Sequence, residues 1–241
     1  MGNLIDSEKF DIEKFANSLV KAGREAVKWE RRKLDWILEE KKTKQESTSE
    51  VAFPPVLTII AGSNGCGKST LTASSRDKFQ NAPVLDPAAF AKSLQDTIAS
   101  GASNIEAGKV VLQRAEELLM ERQSFTVETT LSGSTYLRMA NRAKDNGFSI
   151  AVIFVGASSV EINMERVKAR VLKGGHDVPE EDQRRRYPRT LANMKKLLPM
   201  ADFAVLLDNS SELGYTLVAF GHKAYMHWIE PVPAWAEPLR S

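Results

Sequence analysis

One short stretch constrains this chain more than any other. Gly62-Ser63-Asn64-Gly65-Cys66-Gly67-Lys68-Ser69 matches G-x-x-x-x-G-K-[ST] in full, and it directly follows the apolar run Val56-Leu57-Thr58-Ile59-Ile60-Ala61. A buried strand that ends in a glycine-rich turn and opens into a helix aims several backbone N–H groups at one point, and the helix dipole adds positive character there. Such a point holds a phosphate. Gly62, Gly65 and Gly67 permit the tight turn and the close approach of main chain. Lys68 reaches for the β- and γ-phosphates of a nucleoside triphosphate, the Ser69 hydroxyl is placed to ligate Mg²⁺, and Thr70 continues the opening helix. The motif thus predicts ATP and Mg²⁺, held by residues 62–70.

With 241 residues, 42% of them hydrophobic and 27% charged, the chain has room for one α/β domain and an appendage. A net charge of only +2 supplies no field that argues for nucleic acid. No apolar run is long enough to cross a bilayer, and the N-terminus lacks the apolar core of a signal peptide. Neither nucleic acid nor membrane is therefore expected as a partner. Cys66 is the single cysteine, which excludes a disulfide framework within one chain and favours a reducing, cytoplasmic location. Within the phosphate loop it reads as a small filler whose oxidation would hinder nucleotide binding.

Residues 1–42 differ from the rest of the chain. Ile12, Phe15, Leu19, Ala22, Ala26, Trp29 and Trp36 recur at spacings that build an apolar helical face, opposed by Arg24, Glu25, Lys28, Arg31 and Arg32. This N-terminal helical extension is either a helix packed on the main domain or a docking or regulatory arm. Residues 43–55, polar and then closed by Pro54-Pro55, read as a linker. From residue 56 to 230, strand and helix alternate, which predicts an α/β fold: a P-loop NTPase-type parallel sheet flanked by helices. Strands are expected at 56–61, 83–85, 125–128, 149–155 and 203–207. Helices are expected at 68–79, 87–99, 104–122, 134–146, 159–173 and 180–198. The stretch 216–229 reads as an edge hairpin with Gly221-His222 in its turn, and 231–241, with three prolines, as an irregular tail.

Ligands of an open parallel sheet bind beyond the carboxyl ends of its strands. Polar clusters lie at three such ends: Asp86-Pro87-Ala88, Glu128-Thr129-Thr130-Leu131-Ser132 and Asp208-Asn209-Ser210. A carboxylate there can orient a hydroxyl and accept its proton, or help hold Mg²⁺. Asp86 could equally cap the helix that Pro87 begins; Glu128, closing an apolar strand, is a less natural cap. A fourth cluster is basic: Arg166, Arg170, Gly174-Gly175-His176, then Arg184, Arg185, Arg186 and Arg189. Two helices joined by the Gly-Gly turn form a flap that brings two or three arginines over the phosphate loop, where a transferring phosphoryl group needs charge neutralised. The remaining arginines belong on a solvated face or in pairs with Glu180, Glu181 and Asp182. His176 either meets nucleotide or substrate or is incidental to the loop.

In this order, Gly62–Thr70, Leu85-Asp86-Pro87, FTVETTLSG from Phe125 to Gly133, the flap from Arg166 to Arg189 with GGH-x-VPE and RRY, Asn193 and Asp208-Asn209-Ser210 resemble the zeta toxin family of P-loop kinases, in its compact bacterial branch. The resemblance spans about Val56 to Ser210 and leaves residues 1–50 uncovered. It implies ATP-dependent phosphorylation of the sugar 3′-hydroxyl of a UDP-N-acetyl amino sugar, which starves cell-wall synthesis. It implies that Lys68 and Ser69 hold ATP and Mg²⁺, that Glu128, Thr129 and Thr130 face the sugar nucleotide, and that Arg170, Arg186 and Arg189 steady the moving phosphoryl group. His176 sits about where more distant members carry arginine. Members of the family are commonly silenced by a helical antitoxin over the nucleotide site, so a partner in trans, or residues 1–50 in cis, is implied as well.

One position departs from the pattern. The family shows Asn/Asp-Pro-Asp after the second strand, and the second acid resembles the general base; here the triplet is Asp86-Pro87-Ala88. Alanine accepts no proton. Either Asp86 substitutes from two residues earlier, or the chain is a weakened or inactive member, or the alanine is a deliberate replacement. Two alternatives to the sugar-nucleotide kinase stay open: a P-loop kinase for another hydroxyl substrate (nucleotide, dinucleotide or antibiotic), and a nucleotide-binding regulatory protein without catalysis.

Overall fold

The computed structural model describes residues 54–74, 82–90, 104–222 and 225–240. The helical extension expected at 1–42, and the linker expected at 43–55 apart from its two prolines, lie outside the described residues.

The strands are β1 (Val56–Ala61), β2 (Val84–Leu85), β3 (Phe125–Thr129), β4 (Ser149–Gly156), β5 (Phe203–Asp208), β6 (Thr216–His222) and β7 (Tyr225–Trp228). They form one sheet in the order β2-β3-β1-β4-β5-β6-β7. Strands β1 to β5 pair in parallel, and β6 and β7 are added antiparallel. All of β3 is buried, and so is the carboxyl-terminal half of β1, because helices cover both faces of a parallel sheet and leave no face to alternate with solvent. The helices are α1 (Lys68–Ser74), α2 (Asn104–Met120), α3 (Thr135–Asp145), α4 (Val160–Leu172) and α5 (Glu180–Leu197), and residues 87–90 are helical too. Helix α3 packs on β4 and on α5, and α4 packs on α5.

The parallel strands fall within a residue of their expected limits, since each is a short apolar run between turn residues. Two expectations need correction. Gly221 and His222 do not form the hairpin turn; they belong to β6, opposite Met226 and Tyr225, so the chain reverses after them. The stretch beyond residue 230 is not a separate tail either. It contains a 3₁₀ turn, Glu237–Leu239, and it buries Trp235, Ala236 and Leu239 in the main core. The Trp235 ring lies where a side chain on Gly156 would stand, 2.4 Å from its ideal Cβ, and leans on Phe154 with centroids 5.6 Å apart. Its Nε1–H donates to Asp208 Oδ2 at 2.6 Å.

Replacing Trp235 by alanine removes this plug from beneath β4 and β5. The expected loss is about 3–5 kcal/mol of folding stability, measured by urea denaturation of the full chain.

Candidate active site

Strand β1 lies between β3 and β4; the chain places β2 and then β3 on one side of it, and β4 onward on the other. The end of β1 is therefore the switch point of the sheet, and the glycine loop leaves the strand there. The loop is pinned from two directions. Gly65 holds φ +80°, and an ideal Cβ on it would come 2.3 Å from the Asn163 carbonyl oxygen of α4. Gly67 holds φ +106°, and its Cβ would come 2.5 Å from Asn209 Nδ2. No side chain fits at either position.

Lys68 is buried, its ammonium donating to the Ser63 carbonyl oxygen at 3.0 Å and lying 3.9 Å from Cys66 Sγ. Cys66 is fully buried, and burial pushes its thiol above the ordinary range despite the neighbouring Lys68 charge. A thiol so placed is a poor nucleophile and serves as packing, in keeping with a small filler residue.

The Ser69 hydroxyl donates to Glu128 Oε1 at 2.6 Å, and the Thr72 hydroxyl lies 2.9 Å from Glu128 Oε2. The buried Glu128 carboxylate thus has both oxygens matched to hydroxyls of α1. These bonds tie it to α1 while it still lines the cavity beside Thr129 and Thr130. Parallel pairing sets the position, since Ile60 of β1 is in register with Glu128 of β3. Thr129 Oγ1 accepts from the Leu131 N–H at 3.0 Å, and Leu131 itself takes φ +54°, a strained geometry for a buried leucine. Helix α5 grips this bend: Thr190 Oγ1 donates to the Thr130 carbonyl at 2.7 Å and Asn193 Nδ2 to the Leu131 carbonyl at 2.8 Å.

Asp86 caps the helix that begins at Pro87: its Oδ1 accepts from the Ala88 N–H at 2.8 Å, and its carbonyl accepts from the Phe90 N–H at 2.9 Å. It also lines the cavity, beside Ala88 and Tyr136. On the flap, Arg170 Nη2 donates to the His176 carbonyl at 2.7 Å, and Arg186 pairs with Asp182 at 2.9 Å. Arg185 shares the same Asp182 carboxylate. Arg166 donates to the Asn209 and Ser211 carbonyls.

These groups surround one cavity of about 1120 Å³. Asn64, Gly65, Gly67, Lys68, Ser69 and Thr70 line its floor, and Asp86, Ala88, Glu128, Thr129 and Thr130 line one wall. Arg170, His176 and Arg186 line the flap side. Gly62, Ser63 and Cys66 belong to the same loop but do not line the cavity. Arg189 does not join them. It is exposed, on the turn of α5 that has already reached the Thr130–Gly133 bend, past the edge of the cavity.

Sequence reasoning missed Thr72 and Tyr215. Thr72 carried a signal, since it follows Ser69 by one helical turn and shares its face. Tyr215, whose hydroxyl donates to the Gly67 carbonyl at 2.7 Å, carried none, because only the antiparallel return of β6 brings it to the loop.

A family model described as zeta toxin matches residues 38–206. The chain belongs to the zeta toxin family. The match begins upstream of the stretch that the motifs cover. Over 129 residues the chain is 34% identical to an uncharacterized protein of Haemophilus influenzae, a match covering 54% of this chain and 90% of that one. Among solved structures it is similar to the AvrRxo1-ORF1:-ORF2 complex, with TM-score 0.58 and 16% identity over 77% of this chain and 62% of that one. It is also similar to the PezAT toxin–antitoxin system of Streptococcus pneumoniae, with TM-score 0.51 and 16% identity over 85% and 83% of the two chains. The two structural likenesses establish the fold: this zeta toxin family member has the architecture of a P-loop kinase. No described helix is long and apolar enough to cross a membrane.

Two phenols report on the site. Burial, then the Asp86 charge, pushes Tyr136 up to about 12, and burial does the same to Tyr215. The folded chain holds both protons more tightly than the unfolded chain, whose phenols titrate near ~10. Folding stability should therefore fall as pH rises from ~10 to ~12. Burial raises Tyr187 as well, so phenolate absorbance should show late-titrating tyrosines of which one disappears in Tyr215→Phe.

Proposed function

We propose that this chain is an ATP-dependent small-molecule kinase of zeta toxin type, acting on the sugar 3′-hydroxyl of a UDP-N-acetylglucosamine-type nucleotide sugar, and that Ala88 weakens it. The observation that carries the reading is the cavity itself. A complete phosphate loop, with its serine hydroxyl on a buried carboxylate, faces flap arginines and an acid-bearing corner across one space large enough for two substrates. The AvrRxo1 complex has been crystallised with ATP, which supports ATP as the donor. The choice of acceptor rests on the family resemblance.

The oxygens of Ser69 and Glu128, 2.6 Å apart, are hard donors of the kind magnesium takes, so the site fits that ion. Bound there with the triphosphate, the metal would neutralise charge on the β- and γ-phosphates. The chain's own groups do the rest. The loop amides and Lys68 hold the phosphates. Arg186 and Arg170 stand on the flap side to offset charge on the phosphoryl group. Tyr136, Thr129 and Thr130 shape the acceptor corner. Asp86 is left as the proton acceptor there, with Oδ1 already accepting from the Ala88 amide. That commitment favours a second reading, a nucleotide-binding regulatory protein without turnover.

Control by an antitoxin belongs to the same proposal, through a helical partner in trans or residues 1–50 in cis. The similarity to the PezAT toxin–antitoxin system supports it. Tethering would raise the effective concentration of an inhibitory arm to roughly millimolar.

Installing Ala88→Asp should raise phosphoryl transfer from labelled ATP to UDP-N-acetylglucosamine by about 10²–10⁴-fold. No gain with any nucleotide sugar, alongside intact ATP binding, would leave the regulatory reading standing. Deleting residues 1–50 from the Ala88→Asp protein should increase ATP turnover further, and unchanged turnover would remove the inhibitory role in cis.

A further inference from the structure

We infer that Asn209 and Tyr215, on the connection from β5 to β6, are positioning residues that lock two peptides of the phosphate loop with their N–H groups turned toward bound phosphate. The inference rests on reading the cavity as a triphosphate site. Asn209 Nδ2 donates to the Cys66 carbonyl at 2.8 Å, and Tyr215 Oη donates to the Gly67 carbonyl at 2.7 Å.

A trans peptide is planar, with its C=O and N–H on opposite sides. Anchoring the Cys66 carbonyl therefore fixes the direction of the Gly67 N–H, and anchoring the Gly67 carbonyl fixes that of the Lys68 N–H. The lock matters most at the Cys66–Gly67 peptide, where Gly67 tolerates φ of either sign and a flip is cheap; the Gly67 carbonyl is held by the Leu71 N–H at 3.1 Å as well as by Tyr215. A flipped peptide would aim a carbonyl oxygen at the phosphate in place of an amide hydrogen, exchanging attraction for repulsion.

The strap that carries the two side chains is itself held. The Asn209 N–H donates to the Gly156 carbonyl at 2.9 Å. Asp208 accepts from both the N–H and the hydroxyl of Ser210, and the Ser158 N–H donates to that hydroxyl at 2.8 Å. The Arg166 guanidinium spans the carbonyls of Asn209 and Ser211. Arg166 thus acts through the strap, which gives this cavity-lining arginine a task other than touching the transferred group. The Tyr215 phenol stays protonated far above neutrality, so its donor is present at any working pH.

The test is calorimetric titration of the full chain with ATP and, separately, with inorganic triphosphate, for the unaltered protein, Tyr215→Phe and Asn209→Ser. Each variant should bind both ligands about threefold to tenfold more weakly. The two ligands should lose the same factor, and the unliganded melting temperature of Tyr215→Phe should fall by no more than about 2–4 °C, which one lost hydrogen bond accounts for. Loss confined to ATP would overturn the inference, because the strap would then be touching the nucleoside. Unchanged affinity for both ligands would overturn it equally. Tyr215→Phe removes a single oxygen, so it decides the matter even if Asn209→Ser fails to fold. If the unaltered chain binds neither ligand, the triphosphate reading itself falls, a result distinct from the other two.

Discussion

A buried carboxylate with a hydroxyl on each oxygen ties this site together. Glu128 would be costly to bury without partners, and the two hydroxyls come from α1, one turn apart. Satisfying them requires that β3 lie against β1 in one register and that α1 leave the loop in one direction. A slip of a single residue in the pairing would turn Glu128 to the other face of the sheet. The serine expected to meet the metal would then lose its neighbour, and the threonine would have nothing to hold. Strand register, helix direction and metal chemistry are one constraint at this point.

The flap shows how little of a basic cluster is spare. Arg184 is tied to Glu161 and Lys168 to Glu180, bridges between α4 and α5 that lie near the surface and are worth little individually. Arg185 and Arg186 share one aspartate, Arg170 closes the flap turn, and Arg166 braces the strap. The density of arginine in the sequence suggested a supply of charge for phosphate. Much of it serves as struts, and Arg186 and Arg170 sit closest to combining both tasks.

The parallel sheet and the phosphate loop were legible in the sequence for the same physical reason: each depends on residues adjacent along the chain. A short apolar run between turn residues can be read locally, and so can glycine spacing before Lys68. What escaped was brought from a distance. Tyr215 reaches the loop through an antiparallel return that leaves no periodic mark, and Trp235 enters the core from a stretch whose prolines suggested an irregular end. The grip of Thr190 and Asn193 on the bend after β3 depends on where α5 crosses the sheet. Glu128 stood out in the sequence as a carboxylate closing an apolar strand, but its hydroxyl partners could be named only from three dimensions. Asp86 was open between cap and site in the sequence, and the structure places it as a cap on the cavity wall.

The indole of Trp235 bears on the order of events during synthesis. It fills the space under β4 and β5, yet it leaves the ribosome long after the glycine loop has done so. Until it arrives, Asp208 lacks one of its hydrogen-bond donors and the adjoining strands lack a floor, although the strap keeps its ties to Gly156, Ser158 and Arg166. A nascent chain would therefore carry the whole motif before the last piece of its core is in place.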